Sequence, residues 1–299
     1  MYAKLLQQFM NALSTKLQEL QKILLERPQL SGRFALYPLV GQWKGALSLI
    51  EWQEALSKAR SSAIDLYVHI PFCESLCTFC GCNIKVTRDR SQGAEFVDAI
   101  LKEWEFTKSS RPHTQARSLF LGGGTPNFLP PKQLDRMLTG LRGSGQFQFF
   151  AAELDPRRLD KDTMEVLVGH GLTRMSLGIQ DLDPEVLAQV NRPQSFEIVQ
   201  EAFELGRLHR VAEIGGDFIV GLPLQDSQRL ANSLKKLMSL SPDFIDLYPL
   251  APVPWQQNTQ TAFGLRPPLS FKEKLTLNFE VSAFLKEAGL IHQGLGHYM

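Results

Sequence analysis

Outside a ten-residue window, Cys73 to Cys82, this chain of 299 residues contains no cysteine at all. A secreted disulfide scaffold needs thiols distributed along the chain to staple it, so that class is excluded and a reducing, cytoplasmic setting is expected. No apolar run approaches the roughly 18–20 residues needed to span a bilayer, so no membrane partner is expected either. A surplus of basic charge is also missing. The formal net charge is +1, which gives no electrostatic footprint for nucleic acid. The first residues lack the apolar core and small-residue cleavage site of a secretion signal. Instead Leu6, Met10, Leu13, Leu17, Leu20 and Leu24 recur at helical spacing up to Pro28. That helix either packs on the body of the protein or pairs with a partner as a short coiled coil. Internal repeats and low-complexity segments are lacking too.

What the chain does contain is alternation. Apolar, β-branched stretches at 64–70, 118–121, 149–154, 174–178, 214–220 and 244–250 are separated by segments of helical period at 93–107, 131–141, 160–170, 183–190 with 195–206, and 226–240. A last helix is expected over 270–288. Repeated strand–helix units argue an α/β fold with a parallel sheet. Six units are too few to close an eight-stranded barrel. The expected fold is therefore an open, partial (β/α)6 barrel over 61–299 with an N-terminal helical extension over 1–60, a flat doubly wound sheet being the alternative. In such folds ligands gather at the carboxyl ends of the strands. The segments "GGGTP", "ELDP", "GIQD" and "GDFIVGLP" and the cysteine cluster all fall there.

Cys73, Cys77, Cys80 and Cys82 are spaced C-x3-C-x2-C-x-C. Three chemistries compete for them. A structural zinc site usually joins two C-x2-C knuckles across a longer stretch. A redox pair, Cys77 with Cys80, leaves the other two unexplained. An iron–sulfur cluster suits the spacing best, because soft thiolates from one loop are how such clusters are grasped. Three ligands leave one iron open to a further molecule. In Gly122–Pro126, glycine permits close approach of the backbone to a ligand, although a tight turn alone would also explain it. No Gly-Lys-Ser/Thr follows, so it is not a P-loop.

C-x3-C-x2-C after a first strand, followed by a glycine-rich stretch after the second, resembles the radical S-adenosylmethionine superfamily. Read together, "YVHIPFCESLCTFCGCN", "GGGTP", "ELDP", "GIQD…VNR", "GDFIVGLP" and "APVPW" resemble the oxygen-independent coproporphyrinogen III oxidase family from about Ser31 onward. The resemblance implies a [4Fe–4S] cluster on Cys73, Cys77 and Cys80, with Cys82 matching a fourth cysteine that is not a ligand. It implies two S-adenosylmethionine molecules side by side. Tyr67, Gly123 and Glu153 match positions that contact one; Phe79, Gly124, Thr125, Gln180, Arg192, Asp217 and Ala251 match positions that contact the other. These residue types make sense for such a ligand: carboxylates accept from ribose hydroxyls, and a guanidinium receives the methionine carboxylate. Tyr67 and Cys82 are the catalytic candidates, with His69 and His297 in second rank.

The implied reaction is the oxidative decarboxylation of two propionates of a porphyrinogen to vinyl groups in haem biosynthesis. A monomer reduced by a flavodoxin or ferredoxin is expected. Lys85, Arg88, Arg90 and Arg33 are candidate cations for the substrate's carboxylates. The chain also departs from the family's pattern: Pro252 replaces a usual histidine, Gly296 a usual acidic residue, Thr-Ser is missing before Tyr37-Pro38, and the C-terminal helical domain is expected to be absent. A haem-binding relative without the activity, or a haem-opening radical methyltransferase, are the alternatives.

Overall fold

The computed structural model describes residues 22, 45, 48–58, 63–111, 114–143, 145–251 and 268–299. The expected helix over Leu6–Leu24, the arm with Arg33, and the Pro252 position lie outside the described residues, apart from Lys22. After helix α1 (Leu49–Lys58) come strands β1 (Ala63–Ile70), β2 (Phe72–Cys73) and β3 (Lys85–Val86), then α2 (Gln92–Ser110), β4 (Gln115–Gly123) and α3 (Pro131–Arg142). The chain continues through β5 (Phe149–Leu154), α4 (Lys161–Gly169), β6 (Arg174–Gln180), α5 (Pro184–Gln189) and α6 (Phe196–Leu208). It ends in β7 (Glu213–Val220), α7 (Ser227–Met238), β8 (Phe244–Pro249), α8 (Phe271–Glu287), β9 (His292–Gly294) and β10 (His297–Tyr298).

The main sheet runs β1-β4-β5-β6-β7-β8-β10-β9. All pairings from β1 to β8 are parallel, and β10 pairs antiparallel with both β8 and β9. The six expected strands are all present, and they follow sequence order without reversal. A doubly wound sheet would reverse that order at a switch point. Steady order instead keeps right-handed crossovers on one side and leaves the other concave, which is the partial barrel. Two additions were not expected from sequence: the short parallel pair β2 with β3, and the antiparallel β9–β10 edge. Both are too short to show a periodic pattern.

The two faces of the sheet follow from the period-2 alternation of strand side chains. One set, including Leu119, Leu121, Phe150, Leu154, Met175, Leu177, Phe218, Val220 and Leu247, is at most 3% exposed and packs under the helices in the main core. The other set faces the concave side and is mostly polar: Asp65, Tyr67 and His69 on β1, Glu153 on β5, Arg174 and Ser176 on β6, Asp217 on β7, Asp246 and Tyr248 on β8. Register brings many of these level: Tyr67 with Phe120, Glu153 with Ser176, and Asp217 with Asp246. The helices start where short side chains cap them. Asp160, Asp183, Ser195 and Asp226 each accept a hydrogen bond from the first turn of α4, α5, α6 and α7. Gly296 has φ +86°, and a Cβ there would stand 2.2 Å from the Leu247 carbonyl oxygen. The acidic residue usual in the resembled family therefore cannot be accommodated on this backbone.

Candidate functional site

The cysteine loop begins where β1 ends. Pro71 and Cys73 carbonyls accept from the backbone N–H groups of Lys85 and Thr87 at 2.7 and 2.9 Å, folding residues 71–87 into a loop that returns to its start. Cys77 is buried, Cys73 and Cys80 are half-buried, Cys82 is exposed, and none is in a disulfide. The Cys80 N–H donates to the Cys77 carbonyl at 3.1 Å, closing a turn that sets those thiols apart by a fixed step. Burial pushes the Cys73 thiol up to about 11, and contact with the Cys82 thiol together with burial raises Cys80. Such thiols ionise on binding metal, with release of protons. Among the described residues no three His, Cys, Asp or Glu side chains converge on one ion's position. Thiolates that bind different irons of a cube stand further apart than four ligands of a single zinc ion.

Gly124 brings its backbone against this loop. A Cβ there would lie 2.9 Å from Cys73 Sγ and 2.8 Å from the Phe72 carbonyl oxygen. Thr125 Oγ1 is 3.4 Å from Cys73 Sγ. The turn after β4 is then tied to the end of β5 by a reciprocal pair: Asn127 Nδ2 donates to the Asp155 carbonyl (2.9 Å), and the Asp155 N–H donates to Asn127 Oδ1 (3.0 Å). This connects "GGGTP" to "ELDP", a link that only tertiary structure makes visible.

Arg192 is 6% exposed and faces the cysteine loop, its Nη1 3.6 Å from Cys77 Sγ. Its Nη2 donates to the Gly178 carbonyl and lies 3.7 Å from Asp155 Oδ1, while its buried Nε has no partner. Burial pushes Asp155 up, but its bonds to Arg157 and the charges of Arg192 and Arg157 outweigh that and hold it below the usual carboxylate range. Gln180, at the end of β6, has φ +71°. A left-handed glutamine costs strain and needs its neighbours to impose it. The buried Asp181 does so, accepting from the Leu182 and Asp183 N–H groups, Ser233 Oγ and Gln225 Nε2 at 2.6–2.8 Å. Phe79 packs on a small apolar cluster of Val186, Val190, Leu222 and Leu250. Ala251 follows that cluster directly and is half-buried.

A second group of side chains lies on the concave face proper. His69 Nε2 is 2.7 Å from the Asn83 carbonyl, which can only accept, so Nε2 carries the proton and Nδ1 accepts from the Tyr67 hydroxyl at 3.1 Å. A Cβ on Gly122 would meet both the Tyr67 ring and Glu153 Oε2 within 3.1 Å, so Tyr67 and Glu153 converge over that glycine. Burial, the Glu153 carboxylate and the Cys82 thiol all raise Tyr67, which places Cys82 on the Tyr67 side of the loop. Burial, with Asp246 nearby, also raises Glu153. Asp217 accepts from Ser176 Oγ at 2.9 Å, yet burial and the Glu153 and Asp246 carboxylates push it up to about 8. A cavity of about 380 Å³ opens between Phe120, Phe149, Glu153, Asp217, Tyr248 and the Arg174–His297 pair. Arg174 stacks 3.5 Å from the Phe244 ring centre and bonds Glu213, and His297 bonds Asp246 at 2.6 Å.

The structure therefore brings the sequence candidates together in two neighbouring sets. Cys73, Cys77, Cys80, Gly124, Thr125, Gln180 and Arg192 surround the cysteine loop, with Phe79 and Ala251 at its flank. Tyr67, His69, Cys82, Gly123 and Glu153 form the other set, and Asp217 lies between them, under the influence of both Glu153 and Arg192. Glu153 and Asp217 sit within β5 and β7, inside the expected strands 149–154 and 214–220, and on the concave face. One expectation needs correction. Lys85 and Arg88 stand exposed on the β3 side of the loop and do not line the cavity, while Arg90 pairs with Glu74, which also pairs with Arg158. Arg174, Asp246 and Tyr248 were not singled out from sequence, because nothing local distinguishes them from ordinary strand residues. His297 was, and its partners come from β8 and β6.

A partial parallel barrel with a three-thiol loop at the mouth defines a class. Residues 67–237 match the Radical SAM superfamily, and the chain belongs to it. The family's cofactors are a [4Fe–4S] cluster and S-adenosylmethionine, and the thiol loop with its glycine cradle and unsatisfied guanidinium fits both. More particularly, the chain is similar to an oxygen-independent coproporphyrinogen III oxidase of Paracoccus denitrificans, 35% identical over 236 residues, covering 76% of this chain and 52% of that protein. It is similar to the protein of the same name from Escherichia coli K12, 32% identical and covering 92% of this chain and 61% of that one. The solved structure of coproporphyrinogen III oxidase (HemN) from Escherichia coli superposes with a TM-score of 0.82 at 31% identity, covering 89% of this chain and 62% of that one. The chain thus spans between half and two-thirds of the length of these relatives. Among the described residues no helix is long and apolar enough to cross a membrane.

Proposed function

We propose that this chain is the radical-forming core of an oxygen-independent coproporphyrinogen III oxidase, an oxidoreductase acting on two propionate side chains of coproporphyrinogen III. The observation that carries the reading is the convergence of the three-thiol loop, Arg192 and the Tyr67–Glu153–Asp217 face at one end of the concave sheet, in a chain whose relatives bear that name. Cys73, Cys77 and Cys80 would hold the cluster, leaving one iron for S-adenosylmethionine. With both groups bound, the chemistry supplied is abstraction of a hydrogen atom from a propionate β-carbon. Loss of that atom, of carbon dioxide and of one further electron to an acceptor turns each –CH2–CH2–COO⁻ arm into –CH=CH2.

The chain's own residues do the positioning. Arg192, with its free Nε, receives the methionine carboxylate, Gly124 and Thr125 line its amino end, and Phe79 with its apolar neighbours takes the adenine. Gln180, Asp217 and Ala251 complete this site. Tyr67, Gly123 and Glu153 serve a second S-adenosylmethionine beside it. Asp217, neutral below about pH 8, donates as well as accepts toward ribose hydroxyls. Tyr67 and Cys82 border the open face where the porphyrinogen methylene would arrive. We take the protein to act as a cytoplasmic monomer reduced by a flavodoxin or ferredoxin, with neither nucleic acid nor membrane as partner.

Anaerobic incubation of the reconstituted protein with coproporphyrinogen III, S-adenosylmethionine and dithionite tests this. Carbon dioxide and vinyl-bearing products are expected. Cleavage of S-adenosylmethionine with the porphyrinogen returned unchanged would overturn the reading. Stoichiometric haem binding without that cleavage would point to a haem-binding relative instead.

A further inference from the structure

Cys77 is bracketed from outside its own loop. The carbonyl of Leu76, just before it, accepts from Asn191 Nδ2 at 2.8 Å. The N–H of Thr78, just after it, donates to the Val190 carbonyl at 3.1 Å. The thiol itself lies 3.6 Å from Arg192 Nη1. Three consecutive residues, more than a hundred positions away in sequence, thus hold the central thiol of the C-x3-C-x2-C loop on both sides and from the front.

The backbone at Asn191 explains how one tripeptide reaches three points. Asn191 has φ +52°, in the left-handed region, where asparagine is tolerated far better than most side chains. This turn lets the Val190 carbonyl and the Asn191 and Arg192 side chains all address the same loop, where an extended or helical tripeptide would send successive groups to different sides. The Arg192 N–H donates to the Leu187 carbonyl at 3.0 Å, anchoring the turn to the end of α5. The Val190 side chain is fully buried in the cluster that Phe79 packs on, one residue from Cys80.

We propose that Asn191 is a positioning residue for the iron–sulfur cluster: its carboxamide and its left-handed backbone pre-shape the Leu76–Thr78 segment so that Cys77 presents its thiol before any iron arrives. A free loop would have to be ordered by the metal, at an entropic cost deducted from cluster affinity. A loop already clamped loses less. The same turn sets Arg192, so cluster retention and the guanidinium's placement are coupled through Asn191. The inference rests on Cys73, Cys77 and Cys80 being the cluster ligands and is independent of which substrate the protein takes.

Two full-length variants test it. Asn191→Asp keeps size and tolerance of the left-handed turn but faces the Leu76 carbonyl with an acceptor; Asn191→Gly keeps the turn and removes the side chain altogether. Each is reconstituted anaerobically with iron and sulfide beside wild type, and loss of the cluster's visible absorbance is followed after adding a ferrous chelator. Thermal melts of the apo-proteins monitor folding. We expect apo melts within a few degrees of wild type, and chelator-driven loss faster by about fivefold in Asn191→Gly, the Boltzmann equivalent of one ordinary hydrogen bond. Asn191→Asp should lose its cluster at least as fast. A purely structural role would lower the apo melt and leave the loss rate unchanged. If both variants keep their clusters as long as wild type, the proposal is overturned. A wild type that takes up no cluster overturns the ligand assignment, and this inference with it.

Discussion

The two faces of the main sheet obey opposite rules. On the helix side, β1, β4, β5, β6, β7 and β8 contribute side chains that are almost wholly buried and apolar. On the concave side the same strands place Glu153, Asp217, Asp246, Arg174 and His297 around a cavity, with Phe120 and Phe149 left 37% and 44% exposed. One face is finished by folding. The other leaves aromatic rings open and crowds carboxylates until two are pushed above their ordinary range. Crowding of this kind opposes stability and is retained where a ligand is to be met.

Breaking the comparison at its richest point should give the largest effect. Cys77→Ala is expected to reduce S-adenosylmethionine cleavage to background and abolish the cluster's visible absorbance, with the apo-protein still folded by circular dichroism. Next comes the helix face. Phe218→Ala or Phe150→Ala empties a fully buried site and should lower unfolding free energy by about 3–5 kcal/mol in urea titrations of the apo-protein. A loss below about 1 kcal/mol would mean that this face is not the core it resembles.

A smaller effect with a distinctive pH signature belongs to Asp217. Its pKa is raised on folding, so the folded state holds a proton that the unfolded state has released above about pH 4. Stability is then greatest at or below the unfolded value and falls as pH rises toward about 8, levelling beyond it. Asp217→Asn should remove this slope: its apo melting temperature is expected to exceed that of wild type by several degrees at pH 9 and to match it near pH 4. Equal melting at both values would show that the crowding is relieved in solution. A smaller loss than at Phe218 or Phe150 is expected for Phe149→Ala on the concave face, about 1–2 kcal/mol, since 44% of that side chain stays in water on folding. Its effect should fall on the KM for the proposed substrate, a porphyrinogen.

The difference between the faces also explains what could be read from the chain in advance. The six strands and the helices between them announce themselves because burial on the helix face imposes a periodic pattern along contiguous residues. The thiol loop is legible for a related reason, as its ligands are close in sequence. The left-handed backbone of Gln180 carries no local signature, and the bond from Asn191 to the Leu76 carbonyl joins residues more than a hundred positions apart in sequence. The Arg174–His297–Asp246 contacts join β6, β10 and β8, and a strand of two residues such as β10 is invisible to periodicity. The resemblance supplied Glu153 and Asp217 as site residues and the expected strands contained them; neither showed the register with Ser176 and Asp246 that sets their electrostatics.

The central claim is that three cysteines, not four, hold the cluster at the end of the concave face, leaving an iron open. Electron paramagnetic resonance of the dithionite-reduced, reconstituted protein tests it most directly. The account predicts that adding S-adenosylmethionine shifts the g-values of the reduced cluster, and that Cys82→Ser retains both the cluster and the shift. A spectrum indifferent to S-adenosylmethionine, or a cluster lost with Cys82, would contradict it and make Cys82 the fourth ligand of a closed cluster.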